Sequence, residues 1–284
     1  MNFERERTVS NDFSNSNLKW CFSSLGCPDL NLDETLALAD RYGIGLIELR
    51  TLSGVVDIAP ILEKYISEHP DKVADLKREG RIVGLNTSFH IAANTDADRD
   101  ELIRTAKLAD LFGARYLRVF GGFPFSEKLT PERLSESAKS LEWFDKIKRE
   151  NGFECEITLE IHDGYSSSDR CAELMNHAGR EVAILWDTHH SYRFANESFS
   201  YTWDKLSRQI KHVHVKDSLP VPGKPDKVEH KLPGQGDIPV RDLIALLKRE
   251  HFSGPVSLEW ERFWDKDIPP IEEALDAIIQ ANWL

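Results

Sequence analysis

Acidic and histidine side chains close several apolar segments of this sequence. Four of them, each in a different segment, are Glu160, Asp187, His214 and Glu259. Taken singly, such residues are usually solvated, capping a helix or hydrogen-bonded. Three carboxylates and one imidazole that converge would form a hard, oxygen-rich ligand set suited to Mn²⁺, Mg²⁺ or Co²⁺, whereas structural zinc sites contain more sulfur and nitrogen. Whether they converge depends on the elements that carry them.

Short β-branched runs alternate with segments of helical period along the whole chain, which is typical of parallel βα units. Eight runs are candidate strands: 18–24, 45–50, 81–90, 114–122, 154–162, 181–189, 210–217 and 254–261. This pattern predicts an α/β fold with a single (β/α)8 TIM barrel. A doubly wound sheet is a weaker alternative because no glycine-rich phosphate loop is present.

Helix boundaries are also readable in the sequence. Asp33 is predicted to open the first helix, and Thr130–Pro131 places proline at a first helical position. Gly80, Gly113 and Gly152 fall just past three predicted helix ends.

Composition narrows the classes of partner. The 284 residues carry a formal net charge of −12 without a block of lysine and arginine, which disfavours nucleic acid. No apolar run approaches a membrane span, and residues 1–17 are polar, so we expect a lead-in at 1–17, a barrel at 18–284 and a cytoplasmic protein. The four cysteines form no CxxC pair and are predicted to be buried thiols.

The barrel prediction brings the four groups together. Active sites of TIM barrels lie at the carboxyl ends of the strands, and these four residues lie near the ends of four successive strands. Carboxylates that converge there repel one another unless a cation neutralises them. A divalent metal ion is therefore expected.

The motifs LEIHDG, WDTHH, HVHVKD, LPGQGDIP and LEWE, in this order, resemble those of the xylose isomerase-like barrel superfamily of sugar isomerases and epimerases. The first unit, SSLGCPDLNLDETLALADRYGIGLIELR, is similar to the opening of that superfamily. The resemblance implies one divalent cation, Mn²⁺ before Mg²⁺, Co²⁺ or Zn²⁺, on the same four residues. It also implies that His190 binds a small carbohydrate substrate, that Glu160 and Glu259 act as acid and base, and that the chain forms a homo-oligomer.

The resemblance implies chemistry through a metal-stabilised enediolate. Epimerisation, isomerisation and elimination by a lyase or dehydratase all use such an intermediate, so the reaction stays open. Ketose 3-epimerases of the superfamily carry a glutamate and an arginine where this chain has Ser166 and Pro220. A modified substrate such as a keto-glycoside, sugar acid or sugar phosphate is therefore as plausible as a free ketohexose.

Other polar residues at the strand ends are candidates for substrate binding. Lys216, Arg50 and Arg118 would suit an anionic group, although Arg118 equally fits the barrel interior. His162 and His212 each lie two residues from a proposed ligand, so strand alternation points them to the same side as that ligand.

His90, at the end of the third strand, is a further candidate substrate contact. Together with His230 it also suggests an alternative, the three-metal phosphodiesterase site of endonuclease IV-type barrels, although Val228 stands where those enzymes need an aspartate. A barrel that only binds a ligand ranks third. Trp260 and Trp264 are expected to close the barrel top, and the proline- and glycine-rich loop over 218–236 is either a lid or a rigid excursion.

Overall fold

The computed structural model describes residues 18–284, apart from the side chains of 225 and 226, and the predicted lead-in at 1–17 lies outside the described residues. Within that range eight parallel strands close into a barrel. Its strands, in chain order, are β1 (Lys19–Ser23), β2 (Leu46–Leu49), β3 (Ile82–His90), β4 (Tyr116–Phe120), β5 (Glu156–Glu160), β6 (Ile184–Asp187), β7 (Ile210–Val215) and β10 (Pro255–Leu258). Each corresponds to one of the predicted runs, and the (β/α)8 fold is confirmed.

Helices connect the strands on the outside of the barrel. They are α1 (Leu32–Arg41), α2 (Ala59–Glu68), α3 (Pro70–Glu79), α4 (Asp96–Phe112), α5 (Pro131–Asn151), α6 (Ser168–Ala178), α7 (Thr188–Arg193), α8 (Phe199–Leu206), α9 (Val240–Arg249) and α10 (Ile271–Gln280). No helix within the described range is both long and apolar enough to cross a membrane.

The predicted helix ends are confirmed at the glycines and corrected at the first helix. Gly80, Gly113 and Gly152 are C-caps in the left-handed conformation, with φ of 63°, 73° and 71°. The prediction that Asp33 opens α1 was wrong, because Asn31 caps it and forms a reciprocal capping box with Glu34.

The barrel interior contains buried polar side chains among the apolar ones. Ser257 on β10 lies 2.6 Å from both the Cys21 sulfur and the His212 Nε2, and all three residues are buried. All four cysteines of the chain are buried and unpaired, as predicted. Trp260 is also buried, and its Nε1 donates to the Pro269 carbonyl at 2.7 Å, which confirms a packing role.

The long connection after β7 contains an antiparallel hairpin that the sequence did not reveal. Its strands are β8 (Asp217–Val221) and β9 (Lys224–Lys231). The buried Asp217 carboxylate accepts hydrogen bonds from the backbone N–H groups of Ser218, Gly234, Gly236 and Ile238. One side chain therefore ties the start of the hairpin to the segment that follows it.

Candidate active site

The position of Asp187 follows from the abrupt change from β6 to α7. Asp187 is the N-cap of α7, and its Oδ1 accepts from the backbone N–H groups of His189 and His190 at 2.9 and 3.0 Å. These bonds fix the carboxylate through Oδ1, while the buried Oδ2 lies 2.9 Å from the Lys216 ammonium. The WDTHH motif thus holds one carboxylate oxygen in place and presents the other.

Three neighbouring strands bring the other predicted ligands beside Asp187. In the barrel order β5, β6, β7 and β10 are adjacent, and Asp187 pairs in register with His214. Glu160 is the last residue of β5, and Glu259 directly follows β10. Each of the four residues offers one ligand atom, and these atoms all lie within 4.8 Å of one another. Glu160, Asp187, His214 and Glu259 are called the ligand cluster below.

The atoms of the ligand cluster suit a divalent cation. His214 Nδ1 lies 3.3 Å from Glu160 Oε1 and 3.2 Å from Glu259 Oε2. His214 Nδ1, Glu259 Oε2 and Asp187 Oδ2 are buried, and their close contacts are with other charged groups of the site. Opposite ligands of an octahedral Mg²⁺ ion are about 4.2 Å apart, so the observed spacing needs only a small contraction. The cluster is therefore a candidate divalent-metal site.

The local field also favours positive charge at this point. Burial alone would lower the pKa of His214, but the carboxylates of Glu259 and Glu48 raise it well above its usual value. Burial raises the pKa of the Asp187 carboxyl, and although Lys216 opposes this, Glu259 and Glu160 add like charge. A bound cation would relieve both effects.

Glu48, on β2, is a site residue that was missed at the sequence level. Its carboxylate oxygens lie 3.0 and 3.1 Å from His214 Nε2, and it is fully buried. A carboxylate on the far nitrogen of a metal-binding histidine fixes the ring and directs the other nitrogen to the metal. The clue in the sequence was a charged residue inside the otherwise apolar run LIEL.

Lys216, predicted to bind substrate, lies among three carboxylates, two of which belong to the ligand cluster. Its ammonium is 2.6 Å from Glu259 Oε2, 2.9 Å from Asp187 Oδ2 and 2.5 Å from Glu261 Oε1. The lysine is buried, and these carboxylates raise its pKa well above its usual value against the opposing effect of burial. It is therefore a permanent positive charge that partly neutralises the cluster.

Arg118, predicted either to bind substrate or to be satisfied inside the barrel, pairs with a buried carboxylate, and its contact with substrate stays a prediction. Its guanidinium pairs with Glu160 Oε2 at 2.6 Å, and both side chains are buried. Burial would raise the pKa of Glu160, but Arg118 and His214 together outweigh burial and lower that pKa to about 2. Glu160 is consequently a carboxylate at neutral pH, with Oε2 held by Arg118 and Oε1 facing the ligand cluster.

Two of the predicted substrate histidines pack against each other beside the ligand cluster. The rings of His162 and His190 have centroids 3.8 Å apart, and His190 Nε2 lies 4.0 Å from Asp187 Oδ2. Burial, together with His162, lowers the pKa of His190 well below its usual value, so this imidazole is neutral. Asp163 hydrogen-bonds His162 at 2.7 Å and raises its pKa despite burial.

His212 and His90 are the two remaining histidines of the predicted substrate set. His212 is two residues deeper in the barrel than His214, and it contacts Ser257 at 2.6 Å and Glu48 at 3.4 Å. Burial lowers its pKa to about 4. His90 packs against Phe120 with ring centroids 5.9 Å apart. Substrate contacts for these two stay predictions.

A cavity of about 280 Å³, called the site cavity below, opens beside the ligand cluster. It is lined by Leu25, Arg50, Arg118, Phe120, Glu160, His162, Lys216, Glu259, Glu261 and Trp264. Trp264, one of these lining residues, is 59% exposed. The volume suits a ligand of monosaccharide size.

His230 belongs to the hairpin and not to a metal cluster. It lies 3.4 Å from Asp265 and 3.8 Å from Glu261. Among the described residues, groups spaced to hold a metal are the ligand cluster and the trio Glu48, His212 and His214, which share a histidine. Neither includes His90 or His230, so these histidines give the endonuclease alternative no support.

The comparison with known proteins agrees with this architecture. The family model described as xylose isomerase-like TIM barrel matches residues 36–281. No curated protein matches the sequence. Among solved structures, the IolI protein with a bound zinc atom has a TM-score of 0.72 at 20% identity, over 93% of this chain and 96% of that one.

Two further similar structures are of proteins named as a dehydratase and a sugar epimerase. The probable 3-DHS dehydratase AsbF from Bacillus anthracis has a TM-score of 0.71 at 15% identity, over 93% of this chain and 99% of that one. D-psicose 3-epimerase in the presence of D-fructose has a TM-score of 0.68 at 13% identity, over 94% and 99%. At these identities the likeness shows the fold. Because the family model spans most of the sequence, the chain belongs to the xylose isomerase-like TIM-barrel family.

Proposed function

We propose that this protein is a divalent-metal-dependent isomerase or epimerase of a ketose or sugar derivative. The observation that carries the proposal is the arrangement of Glu160 and Glu259, which lie on either side of His214 at the two ends of the four-strand arc. Both border the site cavity. Two carboxylates around one substrate position are what removal and return of a proton require.

The ligand cluster would hold the metal, with His214 oriented by Glu48. A divalent cation there would polarise the substrate carbonyl and stabilise the enediolate. Mn²⁺ is the preferred candidate because oxygen ligands dominate the set, and Mg²⁺, Co²⁺ and Zn²⁺ are the alternatives.

Several residues at or beside the site cavity have roles in this proposal. Arg118 keeps Glu160 ionised and oriented, so a Glu160 oxygen can accept the proton next to the carbonyl. Lys216 does the same for Glu259, which would hold or return a proton on the other side. The neutral His190 would contact substrate hydroxyls.

Elimination by a lyase or dehydratase is the second candidate. It would start with the same proton removal and then expel a group from the neighbouring carbon. The observation that favours it is Arg50, a cationic side chain at the site cavity that suits an acidic substrate better than a free ketose.

The test is solvent deuterium exchange. Metal-reconstituted protein is incubated in D₂O with ketoses, sugar phosphates, sugar acids and 3-keto-glycosides, and NMR follows deuterium next to the carbonyl. We expect exchange in one class of substrate and its loss with EDTA, and the product distinguishes epimerisation, isomerisation and elimination. Metal-bound protein without exchange across the panel would contradict the proposal.

Variants assign the acid and base. Glu160→Gln and Glu259→Gln should each lose turnover by at least about 100-fold, in the range expected for general acid–base groups. Glu156→Gln, at the opposite end of β5, is the matched control and should retain activity. Wild-type-like turnover in both site variants would refute the assignment.

The remaining expectations stay proposals. A small carbohydrate is the proposed partner on the evidence of the cavity size, while self-association and a cytoplasmic location rest on the sequence alone.

A further inference from the structure

Arg50 differs from the other cationic side chains at the site cavity. Arg118 is paired with Glu160, and Lys216 contacts three carboxylates. Arg50 is 7% exposed, and among the described residues no carboxylate lies within ion-pair distance of it. A buried arginine without an acidic partner is costly, and such a group is usually retained for a ligand.

Backbone and hydroxyl contacts fix the guanidinium of Arg50 without neutralising it. Its two terminal nitrogens donate to the Asn86 carbonyl at 3.2 Å and to the Ser88 hydroxyl at 2.9 Å. Arginine has five N–H donors, so three are left for another acceptor. The side chain is therefore both oriented and available.

Arg50 lines the site cavity. It also borders a second cavity of about 320 Å³ toward α2 and α4, where Asp57 and Glu101 lie. The charged neighbours that act on Arg50, however, are Arg118, Glu160 and Glu259, all at the site cavity. Arg50 therefore shares the wall of the site cavity with two residues of the ligand cluster.

We propose that Arg50 binds an anionic oxygen group of the substrate, a carboxylate or a phosphate, and that the enzyme acts on an acidic sugar derivative. The inference rests on the proposed function, because it names the substrate class of the same site. The guanidinium would give the anion up to three charge-assisted hydrogen bonds while the rest of the ligand reaches the ligand cluster.

Inert ligands test this inference independently of turnover. D-gluconate has a carboxylate at C1, D-glucitol 6-phosphate has a phosphate at C6 and D-glucitol has neither, and none of the three contains a ketone to enolise. Their affinities for the Mn²⁺-loaded protein are measured by calorimetry. We expect at least one anion to bind about ten-fold or more tightly than D-glucitol, and the tighter anion identifies the group as carboxylate or phosphate.

Substitution at Arg50 separates its role from that of the metal. Arg50→Gln should reduce the preference for the anion to about three-fold or less, with unchanged Mn²⁺ content. Arg78→Gln, an equal change in net charge at an exposed arginine paired with Asp75, should retain it. Arg50→Lys, which keeps the charge but loses the planar fork, should retain only part of the preference and serves if the glutamine variant does not fold.

Two results would overturn the inference. One is wild-type protein that binds D-glucitol as tightly as both anions, or binds none of the three. The other is an anion preference that persists in Arg50→Gln, which would assign it to the metal. Failure of deuterium exchange in every substrate would contradict the proposed reaction without changing these affinities.

Discussion

Replacing Glu48 with glutamine should weaken metal binding although Glu48 is not itself in the ligand cluster. Its carboxylate contacts His214 Nε2 at 3.0 Å, so it sets which nitrogen of the ring faces the other ligands. Glutamine keeps the volume and one acceptor oxygen, and it removes the charge. The substitution therefore isolates the electrostatic part of the contact.

The expected size follows from the kind of hydrogen bond that is lost. A hydrogen bond to a charged group contributes about 1.5–3 kcal/mol, and a neutral one about half as much. Losing the difference predicts a dissociation constant about ten-fold higher, or about 1.4 kcal/mol, at the lower end of the 10–100-fold seen for such partners. Glu48→Leu, which leaves His214 Nε2 without an acceptor, should approach 100-fold.

The assay is competition between the protein and a chelator for Mn²⁺ and Zn²⁺, with circular dichroism to verify folding. Glu156→Gln, a substitution of the same type at the other end of the barrel, should bind metal like the wild type. Folded Glu48→Gln protein with an affinity within two-fold of the wild type would refute the orienting role of Glu48.

Three further predictions concern the hairpin, the thiols and the bound metal. Gly236→Ala should lower the free energy of unfolding in urea by about 1–3 kcal/mol, because the added Cβ would lie 2.1 Å from Asp217 Oδ1. Gly45→Ala is the control, because a Cβ at that position meets nothing within 4 Å. Equal stabilities of the two variants would contradict the close approach at Gly236. Burial raises the pKa of Cys27 and Cys155 to about 12, so the thiols of the folded protein should react slowly with Ellman's reagent at pH 8. All four should react once guanidinium unfolds the protein, and fast labelling of the native protein would refute this prediction. A divalent metal ion at 100 times its dissociation constant should raise the free energy of unfolding by about 2.7 kcal/mol, and EDTA should reverse this increase. An unchanged melting temperature would argue against a metal site formed by the folded barrel.

The barrel and its ligand cluster were accessible from sequence because both depend on local pattern. Strand alternation identified the eight runs, and parallel strands in a barrel bring their carboxyl ends to one rim. The sequence alone therefore predicts the ligand cluster of Glu160, Asp187, His214 and Glu259.

The sequence did not reveal how deep each side chain lies in the barrel or which residues distant in the chain contact one another. Alternation predicts that His212 and His214 point to the same side, but two residues of strand separate them by about 6.6 Å along its direction. His212 consequently contacts Ser257 and not the site cavity. Glu48 was missed because its partner is 166 residues away in the chain.

The hairpin was missed for a different reason. The segment that forms β8 and β9 contains prolines and glycine, which usually indicate an irregular loop. Pro220 pairs with Val228 nonetheless, because an isolated two-stranded sheet leaves outward-facing positions where no N–H is needed.

The most direct test is the metal stoichiometry and affinity of the protein before and after a change in the ligand cluster. Chelator-treated wild type should bind one divalent ion per chain in calorimetry and elemental analysis. Asp187→Asn should bind at least about 100-fold more weakly, since even residues that only orient ligands contribute 10–100-fold. Asp163→Asn, a neighbouring carboxylate outside the cluster, should bind like the wild type. Unchanged affinity in Asp187→Asn, or wild type that binds no divalent ion, would contradict a metal site at the carboxyl ends of these four strands.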